Sequence, residues 1–246
     1  EAAAGLAPPR RMSVTPVRLR EGASTQDELH RRASEGAPDG TAVVAQRQTA
    51  GRGSRGRGWD SPEGGLWLSV LWRPRPGDDP RLLSLRAGLA VAEVLDGVGG
   101  VPRVQLKWPN DVIVDGRKVG GLLCEARWLG AELSWVAIGL GLNVRNAPPA
   151  DARMPAASLA EWRADLDPAA LAAPMAEVLA RLGGRGTLTA EELSAWRARD
   201  WLLGHRLCAP LAGVARGIDS LGGLRIETAD GPRTVASGDA SIVELA

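Results

Sequence analysis

Arginine supplies almost every cation in this 246-residue chain, and two lysines, Lys107 and Lys118, stand out against that background eleven positions apart. Asn110, one of three asparagines, and Asp111 lie between them. Phe and Tyr are absent altogether, a bias that fits codon usage better than function. Ammonium is a compact point charge and guanidinium a broad fork, so a position that keeps lysine is a candidate for a site requiring an ammonium against an anion. The plain alternative is accidental survival. A second cluster is the loop GRGSRGRG (51–58), where Arg52, Arg55 and Arg57 alternate with Gly51, Gly53, Gly56 and Gly58. Glycines permit close backbone approach, and arginines grip carboxylate or phosphate bidentately. Such a loop is expected to order around an anionic ligand. A third segment, IGLGLNV (138–144), ends a glycine-rich strand on Asn143.

GRGSRG (51–56) satisfies G-x-G-x-x-G, but Arg57-Gly58-Trp59-Asp60-Ser61-Pro62 follows. A dinucleotide-binding loop needs a helix N-terminus there to hold the pyrophosphate, and this segment would not form one. A protein-kinase loop is excluded by the lack of H-R-D and D-F-G further on.

The elements that must position these residues can be read from pattern. SVTPVRLR suggests a first strand, and Thr25 opens a helix with Glu28 completing a capping box. GTAVVAQRQ (40–48) reads as a buried strand, and GLWLSVLW (65–72) alternates like a half-buried one. Asp79-Pro80 marks the start of a helix that Gly97 ends. VQLKW precedes a hairpin, VIVDGRKVGGLLCEA, turning on Asp115-Gly116. ELSWVAIGLGLNV is a further strand, followed by a Pro-rich loop (146–155) and two helices, the second with a Thr189/Glu192 capping box. From Gly204 short strands separated by glycine turns read as a small β-barrel. This order argues for an α+β fold with a mixed, largely antiparallel sheet packed with helices, because it does not alternate βαβα. The expected organisation is a tail (1–14), a catalytic domain (15–202) and a small β-domain (203–246).

Composition narrows the partners. A net charge of +1 gives no electrostatic reason to expect nucleic acid or an anionic membrane. No run approaches the roughly 18 to 20 apolar residues of a membrane span. The N-terminus lacks a secretory signal. Cys124 and Cys208 belong to no CxxC pair and read as reduced, packed thiols of a cytoplasmic protein, and His30 and His205 are too few for a histidine metal site.

The arginine loop with LKWPND (106–111), GRKVGG (116–121) and IGLGLNV resembles the biotin–protein ligase family. The family's elements read G-R-G-x-x-G-R-x-W, K-W-P-N-D, K-x-x-G and G-x-G-x-N, and all are present in that order. The resemblance runs from about residue 20 to 246 and takes in Ser24-Thr25, the P-A-x-S-L segment (155–159) and the C-terminal β-domain. It implies a fold like class II synthetases and biotin–lipoate ligases, with an SH3-like C-terminal barrel. It also implies ATP and biotin as substrates with Mg²⁺, and biotinyl-5′-AMP as intermediate. The acceptor that the resemblance implies is a lysine on the biotin carboxyl carrier domain of a carboxylase.

By the same resemblance, Ser24, Thr25 and Gln26 match the ureido-binding segment, with Gln26 where Asn is usual. Gln48 edges the biotin pocket, Arg52, Gly53 and Ser54 close over biotin, and Trp59 and Trp67 look like pocket walls. Gly120 and Gly121 let their strand approach the ligand. Arg52, Arg55, Arg57, Lys107, Asn110, Asp111, Lys118 and Asn143 match the ATP and adenylate side. Lys118, Arg52 and Asp111 are the implied catalytic groups, with Asp111 also near the metal. Ser54 stands where arginine is common. Competing readings are a lipoate–protein ligase, a biotin-responsive repressor, for which barely twenty residues precede the first strand, and a binding module without catalysis. Both a monomer and a homodimer fit the sequence.

Overall fold

A computed structural model describes residues 14–149 and 154–243, so most of the expected tail lies outside the described residues. Seven strands form the main sheet: β1 (Val17–Gly22), β2 (Ala42–Gln48), β3 (Leu66–Trp72), β4 (Gln105–Lys107), β5 (Asp111–Val114), β6 (Arg117–Leu129) and β7 (Glu132–Leu142). Their spatial order is β1-β2-β3-β7-β6-β5-β4. Only β1 and β2 run parallel, joined by helix α1 (Thr25–Ser34); the other neighbours are antiparallel. The mixed, largely antiparallel sheet read from the sequence is therefore present.

Helices cover both faces. Leu29 and Ala33 of α1 bury Val43, Leu71 and Ala137 on one face. On the other face α2 (Leu83–Asp96) and α3 (Pro168–Ala180) pack with Leu68, Val70, Ile138 and Leu140 in the main core. This double cover corrects the half-buried reading of β3, all of whose residues are buried. Its alternation marks two different buried environments rather than a dry and a wet face. Asp115 and Gly116 have φ of 46° and 72°, both left-handed, as the two-residue β5–β6 turn requires. Helix α4 (Ala190–Arg197) carries the expected Thr189/Glu192 capping box.

A turn at 200–205 leads to a five-stranded antiparallel sheet. Its strands are β8 (Arg206–Ala209), β9 (Gly213–Ile218), β10 (Leu224–Thr228), β11 (Gly231–Val235) and β12 (Ser241–Ile242). Leu207, Ala215, Leu224 and Ile226 join the same core as the main sheet. The fully buried Trp108 donates its indole N–H to Gly222 O at 2.9 Å, a polar tie inside that apolar seam. The two thiols differ: Cys124 is held by burial at a pKa of about 12, whereas Cys208 is exposed, against the expectation that both are packed.

Candidate active site

Antiparallel register builds the floor of the site. Partners directly opposite in neighbouring strands share a face. The pairings Trp67↔Gly141, Gly141↔Gly121, Gly121↔Asp111 and Asp111↔Lys107 therefore form one row across five strands, β3-β7-β6-β5-β4. Two glycines in mid-row make a trough that ends in a carboxylate and an ammonium. Gly120 belongs to the opposite face, where an added Cβ would meet Leu142 Cδ2 at 2.4 Å. It serves close strand packing, and the expectation that Gly120 faces the ligand is corrected. With side chains alternating, only one of two consecutive strand residues can face the trough. Trp67 also leaves the trough: its indole folds over Gly65 and donates to Pro62 O at 2.9 Å, so it is core and not a pocket wall.

At the end of the row Asp111 lies between both lysines. Lys118 Nζ is 2.5 Å from Oδ1 and Lys107 Nζ is 3.4 Å from Oδ2. Lys107 and Asp111 are buried, so the carboxylate offsets the cost of holding two ammonium groups there while the trio stays net positive. Lys118 also sits 5.0 Å from the centre of the Trp59 ring. Its backbone is fixed from both sides, Lys118 N–H donating to Pro155 O and Ala157 N–H to Lys118 O.

The N-terminus of α1 supplies the other end. Ser24, not Thr25, is the N-cap: its Oγ accepts from Gln26 N–H at 3.2 Å. The expected Thr25/Glu28 box does not form. Thr25 Oγ1 is engaged instead with Gln48 Oε1 (3.1 Å) and Ser69 Oγ (2.8 Å), and Glu28 pairs with Arg31 and Arg32. Gln48 spends its amide on the scaffold, accepting from Thr25 N–H and donating to Ser61 Oγ. Gln26 reaches across Gly139, donating to Leu123 O at 2.9 Å, and its Oε1 is buried with no hydrogen-bond partner. Such an acceptor is costly unless a ligand donor meets it.

These groups line a single cavity of about 970 Å³ together with Arg52, Arg55, Arg57, Trp59, Asn110 and Asn143. That is the upper range of small-molecule sites, which run to about 1,000 Å³. The biotin/lipoate A/B protein ligase family model matches residues 21–143, and the biotin protein ligase C terminal domain model residues 209–243. The chain is 34% identical to the biotin--[acetyl-CoA-carboxylase] ligase of Paracoccus denitrificans over 80% of this chain and 88% of that protein. With the ligase of the same name from Mycobacterium tuberculosis it shares 35% identity, over 90% and 86% of the two chains.

The chain belongs to the biotin/lipoate A/B protein ligase family. Its fold matches the Aquifex aeolicus biotin protein ligase, solved with biotin and ATP, with a TM-score of 0.74 at 31% identity, covering 93% of this chain and 98% of that one. The chain spans about two fifths of the bifunctional ligase/repressor BirA of Bacillus subtilis, to which it is 41% identical over 127 residues.

Within this ligase-family site the arginine loop differs from the sequence expectation. Arg52 does not stand free over the trough. Its guanidinium donates to Asp27 Oδ1 at 2.6 Å and to both oxygens of Glu125 at 3.2 and 2.9 Å. Arg57 turns to Ser54 and to Asp239, which lies in the loop between β11 and β12, 2.9 Å away. Arg55, at φ 60°, is exposed. Trp59 lies in the trough against Gly121 and Gly141, its indole nitrogen buried without a partner. Asn110 donates to Leu122 O and Asn143 accepts from Asn146, so each side chain is partly committed to the scaffold. The expectation of a metal near Asp111 does not fit the donor set. Both its oxygens are on ammonium groups, and no group of three acidic, His or Cys side chains able to hold a metal occurs among the described residues.

Sequence reasoning missed Glu125, His30 and Asp239, together with the C-terminal stretch Gly238–Ile242 that lines the cavity. Glu125 was findable: counting by twos from Gly121 along β6 passes Leu123 and arrives at Glu125 on the same face. The others come from long-range contacts.

Proposed function

We propose that this chain is an ATP-dependent biotin–protein ligase that makes biotinyl-5′-AMP and passes biotin to a lysine of a biotin carboxyl carrier domain, such as that of acetyl-CoA carboxylase. The carrying observation is the row that sets a glycine trough beside Lys107, Asp111 and Lys118, in one cavity with the arginine loop. The catalytic domain (15–202) supplies the reaction site and the small β-domain (203–246) one wall of it.

In the first step a carboxylate oxygen of biotin attacks the α-phosphorus of ATP and pyrophosphate leaves. Two anions meet, so the barrier is largely electrostatic, and fixed cations and positioning lower it without a protein nucleophile. Lys118 is the ammonium that bridges carboxylate and α-phosphate, with Lys107 behind it. Asp111 holds both in place as their counter-ion and is not needed as a base. Any Mg²⁺ would come with the ATP phosphates, since both oxygens of Asp111 are on ammonium groups. Gln26 Oε1 receives an N–H of the ureido ring, Thr25 and Gln48 shape that end, and Trp59 covers the ring system. Asn110 and Asn143 face the nucleotide. In the second step the acceptor amine, deprotonated from its usual pKa of about 10.4, attacks the carbonyl carbon and AMP departs. The loop carrying Arg52, Gly53, Ser54, Arg55 and Arg57 keeps water from the mixed anhydride.

The test is biotin-dependent pyrophosphate release from ATP with and without a carrier domain. Release with biotin but not lipoate, and labelled carrier, is the expected result. Release with lipoate instead would reassign the substrate, and no release from folded protein would leave only a binding module.

A further inference from the structure

Arg52 is the first arginine of a loop rich in glycine, and what fixes it lies outside the loop. Glu125 on β6 takes the guanidinium side-on, Nε to Oε1 at 3.2 Å and a terminal nitrogen to Oε2 at 2.9 Å. Asp27 takes the other terminal nitrogen at 2.6 Å. Behind Glu125, His30 Nε2 lies 3.2 Å from Oε2, and Trp135 Nε1 lies 2.9 Å from His30 Nδ1. An indole N–H can only donate, so Nδ1 is the acceptor and the hydrogen of the neutral ring sits on Nε2, directed at Glu125. The carboxyl of Glu125 is held down at a pKa of about 2, by His30 first and by Arg52. Two carboxylates more than compensate the guanidinium charge. Arg52 is therefore an oriented donor rather than a free cation, with one N–H on each terminal nitrogen left for an anion.

We propose that Glu125, backed by His30, is a positioning residue that sets Arg52 and through it the loop over the adenylate. The scaffold members sit on α1, β6 and β7, and only Arg52 sits on the loop, so the fork transfers the rigidity of the sheet to the lid. This rests on the ligase reading above.

The test loads the full chain with biotin, ATP and Mg²⁺ and follows loss of the preformed adenylate in a chase. Wild type, Glu125→Gln, Arg52→Ala and the double variant are compared, with thermal midpoints recorded. Each single change is expected to speed adenylate loss about tenfold, and the double variant no more than either alone, since both remove one coupling. Glu125→Asp, which keeps the charge but withdraws the fork, is expected to fall between and stands in if Glu125→Gln is unfolded. Multiplying rates in the double variant, or wild-type retention in folded Glu125 variants, would overturn the inference while leaving the ligase reading intact. A wild-type chain that forms no adenylate would instead overturn the ligase reading, and this inference with it.

Discussion

The cavity has a lysine wall and an arginine wall, built on opposite principles. Lys107 and Lys118 stand on β4 and at the start of β6, share one buried carboxylate, and have backbones held by strand ladders or bridges. Arg52, Arg55 and Arg57 ride on a loop whose own hydrogen bonds are few, and they are half-buried or exposed. Two of the three are tied to other elements, Arg52 by Glu125 and Asp27 and Arg57 by Asp239, with Arg57 also bonded to Ser54 inside the loop. A charge that meets the reacting atoms gains from being fixed beforehand, because no reorganisation is then needed as the reaction proceeds. A charge that has to admit a substrate and then cover it gains from a backbone that can move. The difference teaches which wall carries rate and which carries retention.

The lysine wall is where substitution is expected to cost most. Lys118→Arg preserves charge but exchanges a compact ammonium for a broad fork beside Asp111 and Trp59. Adenylate formation is expected to fall about 100-fold, the scale of losing one preorganised charge contact. A full rate in rapid-quench measurements would show that ammonium geometry is irrelevant and the two walls equivalent.

Next comes the trough between the walls. A Cβ at Gly141 would lie 2.8 Å from Trp59 Nε1 and meets no other element that closely. Gly141→Ala is expected to raise the KM for biotin about tenfold with kcat nearly kept, as loss of uniform binding does. An unchanged KM would mean that Trp59 does not cover the substrate ring.

Asp200 ties the lysine wall to stability. It pairs with Leu106, next to Lys107, and precedes Trp201, which lines the cavity. Burial pushes its carboxyl up to about 6 from 3.8. A raised acid binds its proton more tightly folded than unfolded, so its favourable contribution is complete below the unfolded value and is lost as pH rises through about 6. Asp200→Asn keeps the acceptor for Leu202 N–H and removes the charge. Urea melts are expected to show it more stable than wild type by about 2 kcal/mol above that window, with no gain near pH 4. A constant difference across both pH values would place the effect elsewhere.

The smallest effect belongs to the loop. Ser54 Oγ accepts from Arg57, so Ser54→Arg adds a fourth arginine to the lid while removing that tie. Adenylate dissociation is expected to slow about threefold, the scale of one exposed ion pair, with formation unchanged. Faster dissociation would show that the Ser54–Arg57 tie, not added charge, governs the lid.

Much of this was legible in the chain. The isolation of Lys107 and Lys118 in an arginine-only background marked the fixed wall, and Asp115-Gly116 marked the turn that brings Lys118 back beside Asp111. The spacing of glycines and arginines marked the loop. Less legible was which of two adjacent residues turns inward: Gly120 and Gly121 read alike. Pattern gives the alternation but not its phase, and the register with β5 and β7 sets the phase. Thr25 against Ser24 as N-cap was ambiguous for a similar reason, since the choice depends on Gln48 and Ser69 arriving from other strands.

Element order, the mixed sheet, the family and the residue types that touch anions follow from local periodicity, turn chemistry and linked motifs. The pairing of the charges follows from the long-range fold alone. The Arg52–Glu125–His30–Trp135 relay and the Arg57–Asp239 tie join residues 73, 95, 105 and 182 positions apart, and an ion pair leaves no local trace in a chain where arginine is everywhere.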